Sequence, residues 1–219
     1  MDGREVVLEQ QTDYPWDGNL RLIVQKNQAK DFSLMIRIPG WAQGKSVPSE
    51  LYRYSDDVLP TISCKVNGKP VEVTTERGYL RIQRVWKKGD SVELHFDMPA
   101  RMVKASPHVV EDHGRVAVER GPLVYCAEGA DNNLNIFNFL VPQTPQMQIA
   151  DFTVIGQHHV RFDVKSILLR GEELQVNAQG MAKVQPAQLM LIPYYAWNHR
   201  GAGKMEVWLP QSISALGNY

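Results

Sequence analysis

Phe32-Ser33-Leu34-Met35-Ile36-Arg37-Ile38 decides the fold class. Successive side chains of an extended chain point to opposite faces, so Phe32, Leu34, Ile36 and Ile38 share one face and the segment reads as a strand half-buried against a core. Outward from it, similar short runs occur at 6–8, 20–24, 62–66, 71–73, 79–82, 92–96 and 116–118. Asp17-Gly18-Asn19, Pro39-Gly40, Asn67-Gly68, Arg77-Gly78 and Lys88-Gly89-Asp90 punctuate them with turn residues. Asn67 and Gly68 both accept positive φ, the backbone state of a two-residue hairpin, so 64–66 is expected to pair antiparallel with 70–73. Pro70 sits at the start of its strand, where a missing donor does least harm.

Ser49 and Glu50 open a segment, 49–57, with helical start chemistry but no sustained apolar stripe, and it reads as a loop excursion. After Glu128 the composition changes to the turn-rich Gly129-Ala130-Asp131-Asn132-Asn133, and short strands resume at 152–155, 159–164, 167–169, 174–176, 189–192 and 205–209. The reading is all-β: two consecutive antiparallel β-sandwich, jelly-roll-like domains, 1–128 and 129–219.

With 219 residues, 43% of them hydrophobic, the chain can bury a substantial core. Its 24 basic and 24 acidic residues cancel, so no long-range field favours a polyanion, and nucleic acid is not expected as a partner. Arg84, Lys87 and Lys88 form a solvated strand end. No stretch approaches a membrane span and no apolar signal core follows the first residues, so as written the chain is expected to be neither exported nor inserted.

Chemistry is hard to find. A glycosidase needs two carboxyl groups roughly 5–9.5 Å apart across a bond, whereas acids such as Glu72 and Glu93 alternate with apolar residues as solvent-face groups of strands. None of the six histidines has the spacing that puts two ligands on one helix face, and His158 and His159, as neighbours in a strand, point apart. Glu111-Asp112-His113-Gly114 is a polar turn. No nucleophile elbow or phosphate-cradling loop is present. Cys64 and Cys126 are flanked by strand residues and read as buried thiols, joined only if their strands lie side by side.

Aromatic residues beside turns remain. Tyr14-Pro15-Trp16, Gly40-Trp41 and Tyr194-Tyr195-Ala196-Trp197 could stack on sugar rings, plug the core or dock another domain. The binding or docking candidates are Tyr14, Trp16, Trp41, Tyr195, Trp197 and Arg200.

Longer phrases carry a resemblance. In order they are Gln11-Thr12-Asp13-Tyr14-Pro15-Trp16-Asp17-Gly18, Ile36-Arg37-Ile38-Pro39-Gly40-Trp41-Ala42, Val66-Asn67-Gly68 and Gly78-Tyr79-Leu80. Two more follow: Gly114-Arg115-Val116-Ala117-Val118-Glu119-Arg120-Gly121-Pro122-Leu123-Val124-Tyr125-Cys126 and Ile192-Pro193-Tyr194-Tyr195-Ala196-Trp197-Asn198-His199-Arg200-Gly201. Over nearly its whole length the chain resembles the C-terminal portion of glycoside hydrolase family 127, the β-L-arabinofuranosidase family. The resemblance implies a bacterial protein whose N-terminal α/α barrel holds the active site, with a zinc ion bound by cysteines and a glutamate, a cysteine nucleophile and a glutamate acid/base.

None of those positions matches this sequence. The family's cysteine pair would lie upstream of Met1, and Cys64 and Cys126 belong to strands, so neither inherits the nucleophile's role. No cofactor is expected in this chain. What the resemblance implies here is a non-catalytic accessory region that braces the missing barrel and helps subunits pair as a homodimer. The alternative is a module that stacks plant-derived, arabinose-containing glycans on exposed aromatics. A parent in a glycan-degrading bacterium would be periplasmic or cytoplasmic.

Overall fold

The computed structural model describes residues 3–29 and 31–216, apart from the side chain of His159. Strands dominate, and every helix among the described residues is a three-residue 3₁₀ turn. All strand pairing is antiparallel, in three sheets. The chain forms two units: residues up to Pro48 together with Asp57–Pro99, and Ser49–Asp56 together with the chain from Ala100 onward.

Unit one contains β1 (Val6–Thr12), β2 (Asn19–Asn27) and β3 (Phe32–Arg37). The excursion then supplies β4 (Tyr52–Tyr54) to the other unit. Unit one resumes with β5 (Ile62–Val66), β6 (Lys69–Val71), β7 (Thr75–Glu76), β8 (Tyr79–Arg84) and β9 (Ser91–Phe96). Its five-stranded sheet runs β1-β2-β9-β5-β6 and its three-stranded sheet β3-β8-β7.

The alternation legible at 32–38 is realised: Leu34 lies opposite Ile82 and Ile36 opposite Leu80, while Met35 and Arg37 are exposed. Leu80 and Ile82 from this sheet, Ile38 just after β3, and Val92, Leu94, Phe96, Cys64 and Val66 from the larger sheet are buried. Asn67 and Gly68 take φ of 52° and 75°, and Cys64 pairs with Val71 across that hairpin.

Unit two adds β10 (Ala100–Ala105), β11 (Arg115–Arg120), β12 (Leu123–Glu128), β13 (Phe139–Leu140), β14 (Met147–Ile155), β15 (Arg161–Val176), β16 (Ala182–Pro193), β17 (Met205–Glu206) and β18 (Leu209–Pro210). One sheet runs β13-β15-β16-β12-β11-β10-β4, with β14 on β15, β17 on β12 and β18 on β11. Val116, Val118, Tyr125, Phe139, Ile167, Leu169, Leu189, Leu191 and Leu209 form one buried cluster. The Tyr125 hydroxyl crosses it to donate to the Lys165 carbonyl at 2.8 Å, so a buried polar group is satisfied.

Three sequence expectations change. The boundary expected after Glu128 falls inside unit two, because β12 ends there while still paired with β16 and β17. Polar composition marked a turn within a sheet, and the units part at Pro99/Ala100 instead. The 49–57 segment is more than a loop. Tyr52–Tyr54 pairs with β10, Arg101 stacks 3.5 Å from the Tyr54 ring centroid and donates to Asp56 at 2.6 Å, and the Tyr54 hydroxyl donates to Glu119 at 3.1 Å. His158 stands in a 3₁₀ turn with φ of 56°, not in a strand, so the argument from alternating strand faces does not apply to it.

Gly18 closes the β1–β2 connection against β9, its carbonyl accepting from the Phe96 amide at 3.0 Å. A Cβ there would collide with the Phe96 carbonyl. Gly18→Ala is expected to cost about 1–3 kcal/mol through this overpacking, seen as a lower urea midpoint; an unchanged midpoint would mean that the connection does not approach β9 this closely.

Candidate functional site

In unit one the aromatic candidates belong to two connections. Trp41, in the 3₁₀ turn Trp41–Gln43, is 7% exposed and meets Phe96 edge-on at 5.4 Å. Its Nε1 donates to Tyr14 Oη at 3.3 Å, which ties the β1–β2 connection to the core. Burial raises the Tyr14 pKa, and the Trp41 contact offsets part of that rise. Trp16, in the same connection, is half-buried. The Trp41 ring is packed inside and offers no open face to a sugar.

In unit two the aromatic run follows β16. Tyr194 and Tyr195 are 46% and 43% exposed, and Trp197 is half-buried. Tyr195 stands edge-on to Phe162 at 6.1 Å, and Tyr194 lies 6.2 Å from Trp197. Asn198, at φ of 66°, turns the chain toward Arg200, whose guanidinium is shared by Glu128 and Asp131. Nη2 lies 2.6 Å from Asp131 Oδ2. Glu128 ends β12 and Asp131 is in the turn after it, so Arg200 fastens the loop after β16 onto that strand end.

Both carboxylates are nearly inaccessible, at 4% and 2% of side-chain surface. Arg200→Met would leave two buried charges without a counter-ion and is expected to destabilise the chain by about 3–5 kcal/mol. Urea denaturation reads this; a loss below about 1 kcal/mol would be the signature of a water-exposed pair.

A second buried pair joins Arg115, at the start of β11, to Glu206 on β17. Arg115 Nη1 donates to Glu206 Oε1 at 2.7 Å and to the Trp208 carbonyl at 2.9 Å, and Nη2 donates to the Ala215 carbonyl at 2.7 Å. Glu206 Oε2 is buried with no hydrogen-bond partner among the described residues. Burial pushes the Glu206 carboxyl up from 4.5 to about 6, against the pull of Arg115. Between those values the folded chain holds a proton that the unfolded chain has released, so this group's contribution to stability falls as pH rises. The stability difference between the wild type and Glu206→Gln should therefore shift against the wild type from pH 4.5 to about 6, measured by urea titration at each pH. A flat difference would contradict the raised carboxyl.

These acids are engaged by guanidinium groups. Cys64 and Cys126 are free and buried. Burial raises the Cys64 thiol, and burial, followed by the nearby Glu128 and Asp131 charges, pushes Cys126 up to about 12. A nucleophilic thiol needs the opposite shift. Among the described residues no three His, Cys, Asp or Glu side chains converge to hold a metal ion, so the zinc centre implied by the resemblance does not fit the residues described here.

The outer face of the five-stranded sheet carries a concavity of about 560 Å³ that the sequence reading did not single out. Its floor comes from β2, β9 and β5, and its rim includes Asp13 and Asp17 of the β1–β2 connection. Register aligns two rows across the sheet: Asn19, His95 and Ser63, then Arg21, Glu93 and Lys65. His95 Nδ1 donates to Asn19 Oδ1 at 2.8 Å, and Arg21 Nε lies 4.0 Å from Glu93. The available signal was polar residues at alternate positions of 19–21, 63–65 and 93–95; aligning them required the long-range strand register.

Residues 1–98 match the beta-L-arabinofuranosidase GH127 middle domain, and residues 100–210 match the glycoside hydrolase family 127 C-terminal domain. The chain belongs to glycoside hydrolase family 127. The junction of the two family 127 matches coincides with the parting of the two units at Pro99/Ala100.

A non-reducing end beta-L-arabinofuranosidase from Bifidobacterium longum subsp. longum is 33% identical over 216 residues, covering 92% of this chain and 30% of its own length. A solved GH127 beta-arabinofuranosidase is 46% identical with a TM-score of 0.92, over 99% of this chain and 33% of that protein. The crystal structure of a GH127 beta-L-arabinofuranosidase from Geobacillus stearothermophilus T6 is 33% identical with a TM-score of 0.76, over 96% and 31%. The chain thus spans about a third of the length of the family 127 proteins it matches.

Proposed function

We propose that this chain is the non-catalytic accessory region of a glycoside hydrolase that acts on L-arabinofuranosides, and that it braces an N-terminal catalytic barrel. The observation that carries the reading is its match to the family's middle and C-terminal domains, end to end, within relatives named as β-L-arabinofuranosidases. The chemistry described above supports it, because the buried acids are held by arginines and the thiols are kept protonated.

Docking needs apolar surface. The hairpin joining β15 to β16 exposes Val176, Met181 and Val184, and a two-stranded ribbon of this kind is marginal in water without a partner surface. The barrel, or a second copy of the chain in a homodimer, would cover it.

The test is hydrolysis of an aryl β-L-arabinofuranoside by three samples: this chain, the separately produced N-terminal region of the same gene's product, and their mixture. Turnover is expected to be absent with this chain alone and higher in the mixture than with the N-terminal region alone. Turnover by this chain alone, or a mixture no better than the N-terminal region, would overturn the accessory role.

A further inference from the structure

We propose that the concavity on the five-stranded sheet of unit one binds a neutral saccharide through its hydroxyl groups. Its volume, about 560 Å³, lies within the range of small-ligand sites. The lining holds amide, carboxylate, imidazole, hydroxyl and cationic groups in two cross-strand rows. Rows two residues apart along a strand are separated by about 6.8 Å, so a sugar ring laid between them meets polar groups on both sides.

Charge selects the ligand class. Arg21 and Lys65 are balanced by Glu93, Asp13 and Asp17, which leaves neither the cationic surplus that a phosphate or uronate polymer needs nor a strong acidic field for a polycation. A ligand whose groups both donate and accept suits such a mixture. Two of the lining groups are already oriented, since His95 is held by the Asn19 side chain and the Asp17 carboxylate accepts from the Asn19 backbone N–H at 2.8 Å. The side chains of Ser63 and Lys65 form no hydrogen bond with another described residue and are available to a ligand. Among the described residues no Phe, Tyr or Trp lines the concavity, so recognition there rests on hydroxyl hydrogen bonds and not on stacking against a large aromatic face.

The choice of an arabinofuranoside as the first probe rests on the accessory reading above. Binding itself does not, because it is measured on this chain alone, without turnover. Titration of the isotopically labelled chain with methyl β-L-arabinofuranoside, followed by amide NMR shifts, is expected to move Asn19, Ser63, Lys65, Glu93 and His95 and to saturate with a Kd of roughly 1–10 mM. Galacturonate is the anionic control. The exposed double variant Lys65→Met/Glu93→Gln, whose retained spectral dispersion reports folding, should weaken binding about tenfold, the factor equivalent to one charged hydrogen bond. Tyr195→Ala should leave it unchanged.

Absence of saturable shifts, shifts confined to residues 194–198, or tighter binding of galacturonate than of the neutral glycoside would each overturn the proposal. Failure of the mixing experiment with binding intact would sink only the accessory role.

Discussion

The register of β9 is the constraint on which unit one depends. This strand is the centre of the five-stranded sheet, paired with β2 on one side and β5 on the other. Val92, Leu94 and Phe96 go into the core, and Glu93 and His95 go out. Because the side-chain period is two, a slip of one residue would put Glu93 and His95 among Trp41, Val24 and Val66 and leave the apolar groups in water. The same alternation that builds the core therefore composes the polar floor of the concavity. Fold and candidate site are two faces of one strand.

Unit two solves a different problem. Its single sheet gathers strands from distant parts of the chain, including β4 from before residue 57, and its loops must be fastened where no ladder reaches them. Arginines do this. Arg200 holds two acids at the end of β12, Arg115 holds Glu206 and two carbonyls, and Arg101 holds Asp56 and covers Tyr54. The planar fork of arginine suits such multi-point contacts better than the point charge of lysine. Carboxylates engaged in this way brace the unit.

Local signals were legible and long-range ones were not. The alternation at 32–38 and the Asn67-Gly68 turn depend on neighbours in sequence, and both read directly. The domain boundary depends on which strands pair. Gly129 to Asn133 has loop composition, yet Asn132 donates to the Glu128 and Met190 carbonyls and stays within the sheet of unit two. Burial is equally hidden: Trp41 and Tyr195 both stand beside turns, but one is packed against Phe96 and the other is 43% exposed. Arg200 stood out only as part of a family phrase, because its partners Glu128 and Asp131 are about seventy residues away in sequence. The concavity escaped notice for the same reason, its rows being assembled from 19–21, 63–65 and 93–95.

The most direct measurement is the pattern of cross-strand nuclear Overhauser contacts from β9 in solution. Contacts from Glu93 to both Arg21 and Lys65, and from His95 to Asn19 and Ser63, are expected from the register. Contacts joining Leu94 to Arg21 and Lys65 instead would show a one-residue slip, which would contradict both the core and the concavity described for unit one.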